Sequence, residues 1–197
     1  PFKDMPYMAF ALMITLWAFA FMQFFSAIPV FYKEHYHLNE GQIGAFLAFN
    51  GLLIALFEMP FVFKVEGRVR QMTLIKWGAI AVGASYLIYL LPGNWFWVVT
   101  CSVVVITIGE MLSMPFASTY AMNRATDQNR GQYMAVYSLS YSIAHVLAPV
   151  VGLFVADQYG YHALWIMVAS LSLLSFAGLA FIDRPPKSSP ILHAVEP

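Results

Sequence analysis

Charge is what this sequence has least of. Asp, Glu, Lys and Arg make up only 10% of its residues, against roughly 25% in an ordinary soluble domain. The ten basic and ten acidic side chains cancel, so no overall field directs the chain to nucleic acid or to an acidic partner. Cysteine is limited to Cys101, which excludes a disulfide framework and reads as a small apolar helix residue. There is no His-Glu-x-x-His pair, no Gly-x-Ser-x-Gly elbow, and no further His or Asp deep in an apolar run to complete a metal site. These absences weigh against a membrane-embedded metalloprotease or acyltransferase, and no cofactor or metal is expected. A non-transporting assembly or chaperone-like membrane module stays open beside them.

What the sequence does have is apolar surface, 60% hydrophobic and 17% aromatic. A water-soluble fold of 197 residues cannot hide that much. Crossing the hydrocarbon core takes about 20 apolar residues, and six runs meet the requirement, at 5–32, 42–63, 72–91, 95–121, 132–156 and 163–182. The expected class is therefore an all-α integral membrane protein in which 1–182 form a six-helix bundle. The first run is too long for a signal peptide, whose apolar stretch spans about 7 to 15 residues. Pro92, Gly93 and Asn94 break the third run from the fourth. The tail at 183–197 holds four prolines and is expected to be a disordered cytoplasmic extension. A chain that opens on Pro1 rather than methionine reads as a piece of a longer polypeptide.

Basic residues set the orientation. Lys3, Lys64, Arg68, Arg70, Lys76, Arg124, Arg130, Arg184 and Lys187 fall on one side of the predicted bundle, and Lys33 alone on the other. Both termini are expected in the cytoplasm of a bacterial-type inner membrane. Trp95 and Trp97 read as interfacial anchors at the opposite surface.

Polar groups inside the runs carry the functional reading. Glu110 lies near the middle of the fourth run, where an ionisable group costs roughly 2.5 to 3.5 kcal/mol to insert and by default marks an ion or substrate path. The alternative is a permanently neutral Glu that ties two helices together. His145 lies near the middle of the fifth run, and Tyr137, Tyr141 and His145 fall within about 80° of one helical face. That face can carry a proton, or His145 can be a satisfied structural group. Glu58, in the second run, is a third candidate for proton coupling, or an anchor pairing with Lys64 or Arg68. Gln23 and Asn50 read either as substrate hydrogen-bonders, with Tyr137 and Tyr141, or as helix-to-helix glue. The seventeen phenylalanines and eleven methionines suit a greasy pocket and equally suit lipid-facing surface. The third and sixth runs hold nothing more polar in their interiors than serine and tyrosine, so they are expected outside, with the other four lining a polar cavity.

A faint repeat joins the halves. Gly41-Gln42 opens the second run and Pro60 is expected to end it; Gly131-Gln132 opens the fifth and Pro149 lies near its end. The offset of about 90 residues superposes helices one to three on four to six with inverted orientation, a recurring transporter architecture.

Gly109-Glu110 followed by Pro115, then Arg130-Gly131-Gln132-Tyr133, then Ala148-Pro149 and Gly152 resembles helices ten and eleven of the major facilitator superfamily, most closely its proton-coupled drug antiporters. The turn at 64–70 resembles that superfamily's Gly-x-x-x-Asp-Arg-x-Gly-Arg loop. No Asp-Arg pair precedes Gly67, and Glu66 stands in as the acid. The resemblance implies a C-terminal six-helix half of a twelve-helix transporter, an inverted 3+3 repeat whose partner is an N-terminal half. It implies alternating access driven by protons, with a small molecule or drug exported by antiport. A proton-coupled symporter for a peptide, nucleoside or sugar is the alternative. Lys64, Glu66, Arg68, Arg124, Asp127 and Arg130 are the expected gating residues, although a solvated charged loop explains the last three as well.

Overall fold

A computed structural model describes residues 1–183, all of it helix and short connections. The helices are α1 (Met5–Met22), α2 (Ala27–His35), α3 (Glu40–Val65), α4 (Gln71–Leu87, continued by a 3-10 turn at Ile88–Leu90), α5 (Trp95–Asn123) and α6 (Arg130–Ile182). Among the described residues, five stretches are long and apolar enough to cross a membrane, with α1 and α2 forming one of them, Met5–His35. The expectation for the tail lies outside the described residues apart from Asp183.

Local chemistry explains the boundaries. Asp4 caps α1, its carboxylate accepting the Tyr7 amide at 3.2 Å. Asn39 and Gln42 form a reciprocal capping box at the start of α3, with bonds of 3.0 and 2.9 Å. Asn94 caps α5 through the Phe96 amide.

Three helix boundaries differ from the sequence reading. The run expected at 5–32 is interrupted over residues 23–26, because Pro29 has no N–H for the Phe25 carbonyl and its ring crowds that oxygen. The Ser26 hydroxyl turns back instead to the Met22 carbonyl at 3.0 Å. Pro60 does not end α3; it lies inside the helix, which continues to Val65. The loop expected between 156 and 163 shrinks to Gly160, whose φ of 82° and ψ of 164° interrupt an otherwise helical stretch of 53 residues. An unbroken helix of that length would reach about 80 Å. We refer to 130–159 and 161–182 as the first and second arms of α6.

Packing follows small residues. Gly78 of α4 lies against Gly109 and Ser113 of α5, and Gly83 of α4 against Ala169 and Ser172 of the second arm. In lipid, where helices gain nothing from leaving water, such close approach supplies the association energy. The Met13 side chain of α1 fills the space over Gly178 of the second arm, while Ser140 of the first arm donates to the Ala11 carbonyl at 3.1 Å. α1 is thus wedged between the arms.

Within this chain the third and sixth runs, α4 and the second arm, are packed closely on their neighbours. Half of the most apolar window of α4 is buried, against 6% for α3.

Candidate functional site

α3 touches the rest of the bundle mainly along one seam with α5, and the polar residues of both helices meet there. Asn50 is buried on α3 and Thr107 on α5. The Asn50 amide donates to Thr107 Oγ1 at 2.9 Å and to Glu110 Oε2 at 3.2 Å. Glu110 is half-buried, reached by one side-chain donor and open on its remaining side. Glu58 stands two turns along α3, close enough to act electrostatically on Glu110. Tyr141 of the first arm lies within electrostatic reach of Glu110 and receives the Tyr137 hydroxyl at 3.1 Å. Met114, Tyr137, Ser138 and Tyr141 line a shallow hollow of about 330 Å³ between α5 and that arm.

Other candidates fall elsewhere. His145 is exposed, and its Nδ1 meets the Met22 sulfur at 3.4 Å; no hydrogen bond among the described residues joins it to Glu110. Gln23 is fully buried and donates to the Ala148 carbonyl at 2.9 Å, in the notch left by Gly152. It acts as a tie between α1 and the first arm. Higher on the α3–α5 seam, Phe46, Phe49, Trp95 and Phe96 line an apolar hollow of about 380 Å³.

The charged candidates lie at the opposite, basic end. Lys64, Glu66 and Arg68 are exposed and form no ion pair among the described residues. Arg124 does not pair with Asp127: it grips Asp4, with Nε and a terminal nitrogen at 2.7 and 2.8 Å from the two carboxylate oxygens. The Tyr133 hydroxyl adds a third donor at 3.0 Å, and the Tyr7 hydroxyl reaches the Tyr133 carbonyl at 2.6 Å. The Arg124 hydrogen bonds, with those from the Tyr7 amide and Tyr133, outweigh partial burial and hold the Asp4 carboxyl down at about 2. The same bond raises the Arg124 guanidinium further. Asp127 is left with Arg130 at 3.8 Å, almost fully exposed. Asp183 bridges Arg70 at 2.5 Å and Lys76 at 2.8 Å.

The profile of the Major Facilitator Superfamily matches residues 8–196. The chain belongs to the Major Facilitator Superfamily. Among its relatives is a Na(+), Li(+), K(+)/H(+) antiporter of Planococcus maritimus, 26% identical over 187 residues that cover 88% of this chain and 43% of the relative. The MFS-type transporter YttB of Bacillus subtilis is 31% identical over 144 residues, covering 71% of this chain and 35% of its own length. The inner membrane transport protein YajR of Escherichia coli is 26% identical over 182 residues, with coverages of 91% and 39%. This chain thus spans about two fifths of the curated relatives it matches. In fold it is similar to a crystallised peptide transporter POT, with a TM-score of 0.73 at 16% identity, over 89% of this chain and 37% of that one.

As a Major Facilitator Superfamily member with several membrane-length apolar helices, the chain is a multi-pass membrane protein of a transporter family, not an enzyme. Sequence reasoning singled out Asn50 and Glu110 separately but missed Thr107, Asp4, Lys76 and Asp183. Thr107 gives no signal, since a threonine in an apolar helix normally satisfies itself on a preceding carbonyl. Asp4 had one: an acidic residue just before an apolar run, with Pro6 in the first turn, is a helix-start pattern.

Proposed function

We propose that the chain is the C-terminal half of a proton-coupled secondary transporter, exporting a small molecule or drug in exchange for protons by alternating access. The observation that carries this reading is the half-buried Glu110, held on one side by Asn50 across the α3–α5 seam and open on the other. A carboxyl in that setting can take a proton from one side and release it to the other. A substrate that binds better when the proton is absent is then exchanged for it. The antiporter among the relatives supports exchange with protons.

In this reading the two arms of α6 are separate crossings. The six crossings form an inverted 3+3 repeat, with both termini in the cytoplasm of a bacterial-type inner membrane, and 183–197 is a cytoplasmic tail. Glu110 is the coupling group, with Glu58 modulating it. Asn50, Tyr137 and Tyr141 meet the solute. Lys64, Glu66, Arg68, Asp127 and Arg130 face the N-terminal half, and Arg124 secures the basic end. Cavity closure needs that second half, so transport is a property of the full-length protein.

The test is proton-linked substrate uptake in vesicles holding the full-length transporter, wild type against Glu110→Gln. Loss of gradient-driven uptake, with substrate binding retained, is expected. Uptake that keeps its pH dependence would remove Glu110 from coupling.

A further inference from the structure

The hydrogens around Asn50 can be assigned one by one. Thr107 Oγ1 donates to the Val103 carbonyl at 2.6 Å. Its single hydroxyl hydrogen is thereby committed, and toward any other neighbour its oxygen can only accept. The Asn50 group that meets it is therefore the NH₂, whose second hydrogen goes to Glu110. Turning the amide over would set two acceptor oxygens against each other with no hydrogen between them.

We propose that Thr107 is a positioning residue for proton exchange at Glu110: by accepting from Asn50 it fixes the amide so that the carboxyl always meets an N–H. An ionised carboxylate accepts that bond fully. A protonated Glu110 needs an acceptor for its own O–H, and Asn50 held in this orientation has none to offer it. Thr107, which touches neither proton nor solute, thus favours proton release. Among the described residues, the other titratable groups within electrostatic reach of Glu110 are Glu58 on α3 and Tyr141 on the first arm. α5 carries no second charged residue between 95 and 123. α4 lies against the Gly109 side of α5, and its own charge, Lys76, is paired with Asp183.

The inference rests on the reading of Glu110 as the exchanging group, and a probe indifferent to substrate tests it. Dicyclohexylcarbodiimide reacts with protonated carboxyls in apolar surroundings. Its labelling of Glu110, followed against pH by mass spectrometry in the full-length reconstituted transporter, reports the proton directly. Thr107→Val keeps the side-chain shape but frees Asn50 to turn its carbonyl toward a protonated Glu110. The labelling midpoint should rise by about one pH unit, a tenfold change in proton affinity. Thr107→Ser, which restores the acceptor, should return it to the wild-type value. In an Asn50→Leu background, Thr107→Val should add no further shift. Thr107→Ala serves as a second variant with the same expectation as Val. An unchanged or lowered midpoint, an equal shift in the serine variant, or an equal shift in the leucine background would each overturn the proposal. Uptake unaffected by Glu110→Gln would instead remove the transport reading and leave the labelling result standing.

Discussion

Asp4 and Arg124, 120 positions apart, form a two-pronged ion pair that fastens the start of α1 to the end of α5. The same carboxylate caps α1 through Tyr7 and accepts from Tyr133 at the start of α6, so one side chain joins three helices.

That carboxyl makes the basic end acid-sensitive. Its folded value of about 2 lies below the ordinary 3.8, so the stabilisation is fully present above about pH 4 and is lost as pH falls through 2. Arg124 is about a third exposed, with 35% of its side chain accessible, so solvent screening reduces the expected contribution to about 1 kcal/mol. Asp4→Asn should lower the melting temperature at pH 7 and flatten its decline between pH 4 and 2. Melts recorded across that range on the detergent-solubilised protein check it.

Gly78 should tolerate no side chain. A Cβ there would lie 1.9 Å from Ser113 Oγ and 2.7 Å from the Gly109 carbonyl, and backbone cannot yield as a side chain can. Gly78→Ala should cost more than about 2 kcal/mol through overpacking. Gly44→Ala, with nothing within 4 Å, should be neutral or slightly stabilising. Size-exclusion profiles and thermal melts of the two variants make the comparison.

Gln23 and Gly152 should behave as one unit. A Cβ at 152 would meet Gln23 Oε1 at 2.1 Å, so Gly152→Ala expels the amide from its bond to the Ala148 carbonyl. The loss should be about 1 to 3 kcal/mol, that of a buried polar group left unpaired. In a Gln23→Ala background the same change should cost clearly less. Additive losses in unfolding measurements would show that the two residues act apart.

His145 should prove dispensable for coupling. It is exposed and its recorded partner is the Met22 sulfur. His145→Ala should leave proton-linked uptake within about threefold of wild type, with an unchanged pH profile, whereas Glu110→Gln should abolish it. A His145→Ala profile that loses its pH dependence would restore this imidazole to the proton path.

The apolar spans were legible because lipid imposes a length and a hydropathy that survive any packing detail. Pro115 and Pro149 lie inside their runs, whereas Pro60, near the end of its run, reads as a terminator; α3 nevertheless continues past it to Val65, because a proline in a span bends a helix that neighbouring residues keep intact. Asp157, Gln158 and Gly160 looked like a loop, but the backbone stays helical up to the one residue that can adopt a positive φ. At the site, Asn50 and Glu110 were visible as costly polar groups in apolar runs. Their union was not, because nothing in a sequence records which faces of two distant helices will meet. The same limit hid Arg124's partner: Asp127 lies three residues away in the chain, whereas Asp4 is brought near only by folding.

Gly160 is the single non-helical residue between the two arms of α6, and both arms hold α1. A turn that short leaves no slack, so neither arm can slide along α1 without dragging the other. α3, attached along one edge, is under no such restraint. If the molecule changes shape while working, it should pivot where α3 meets α5, with α1 and both arms travelling together as a single rigid block.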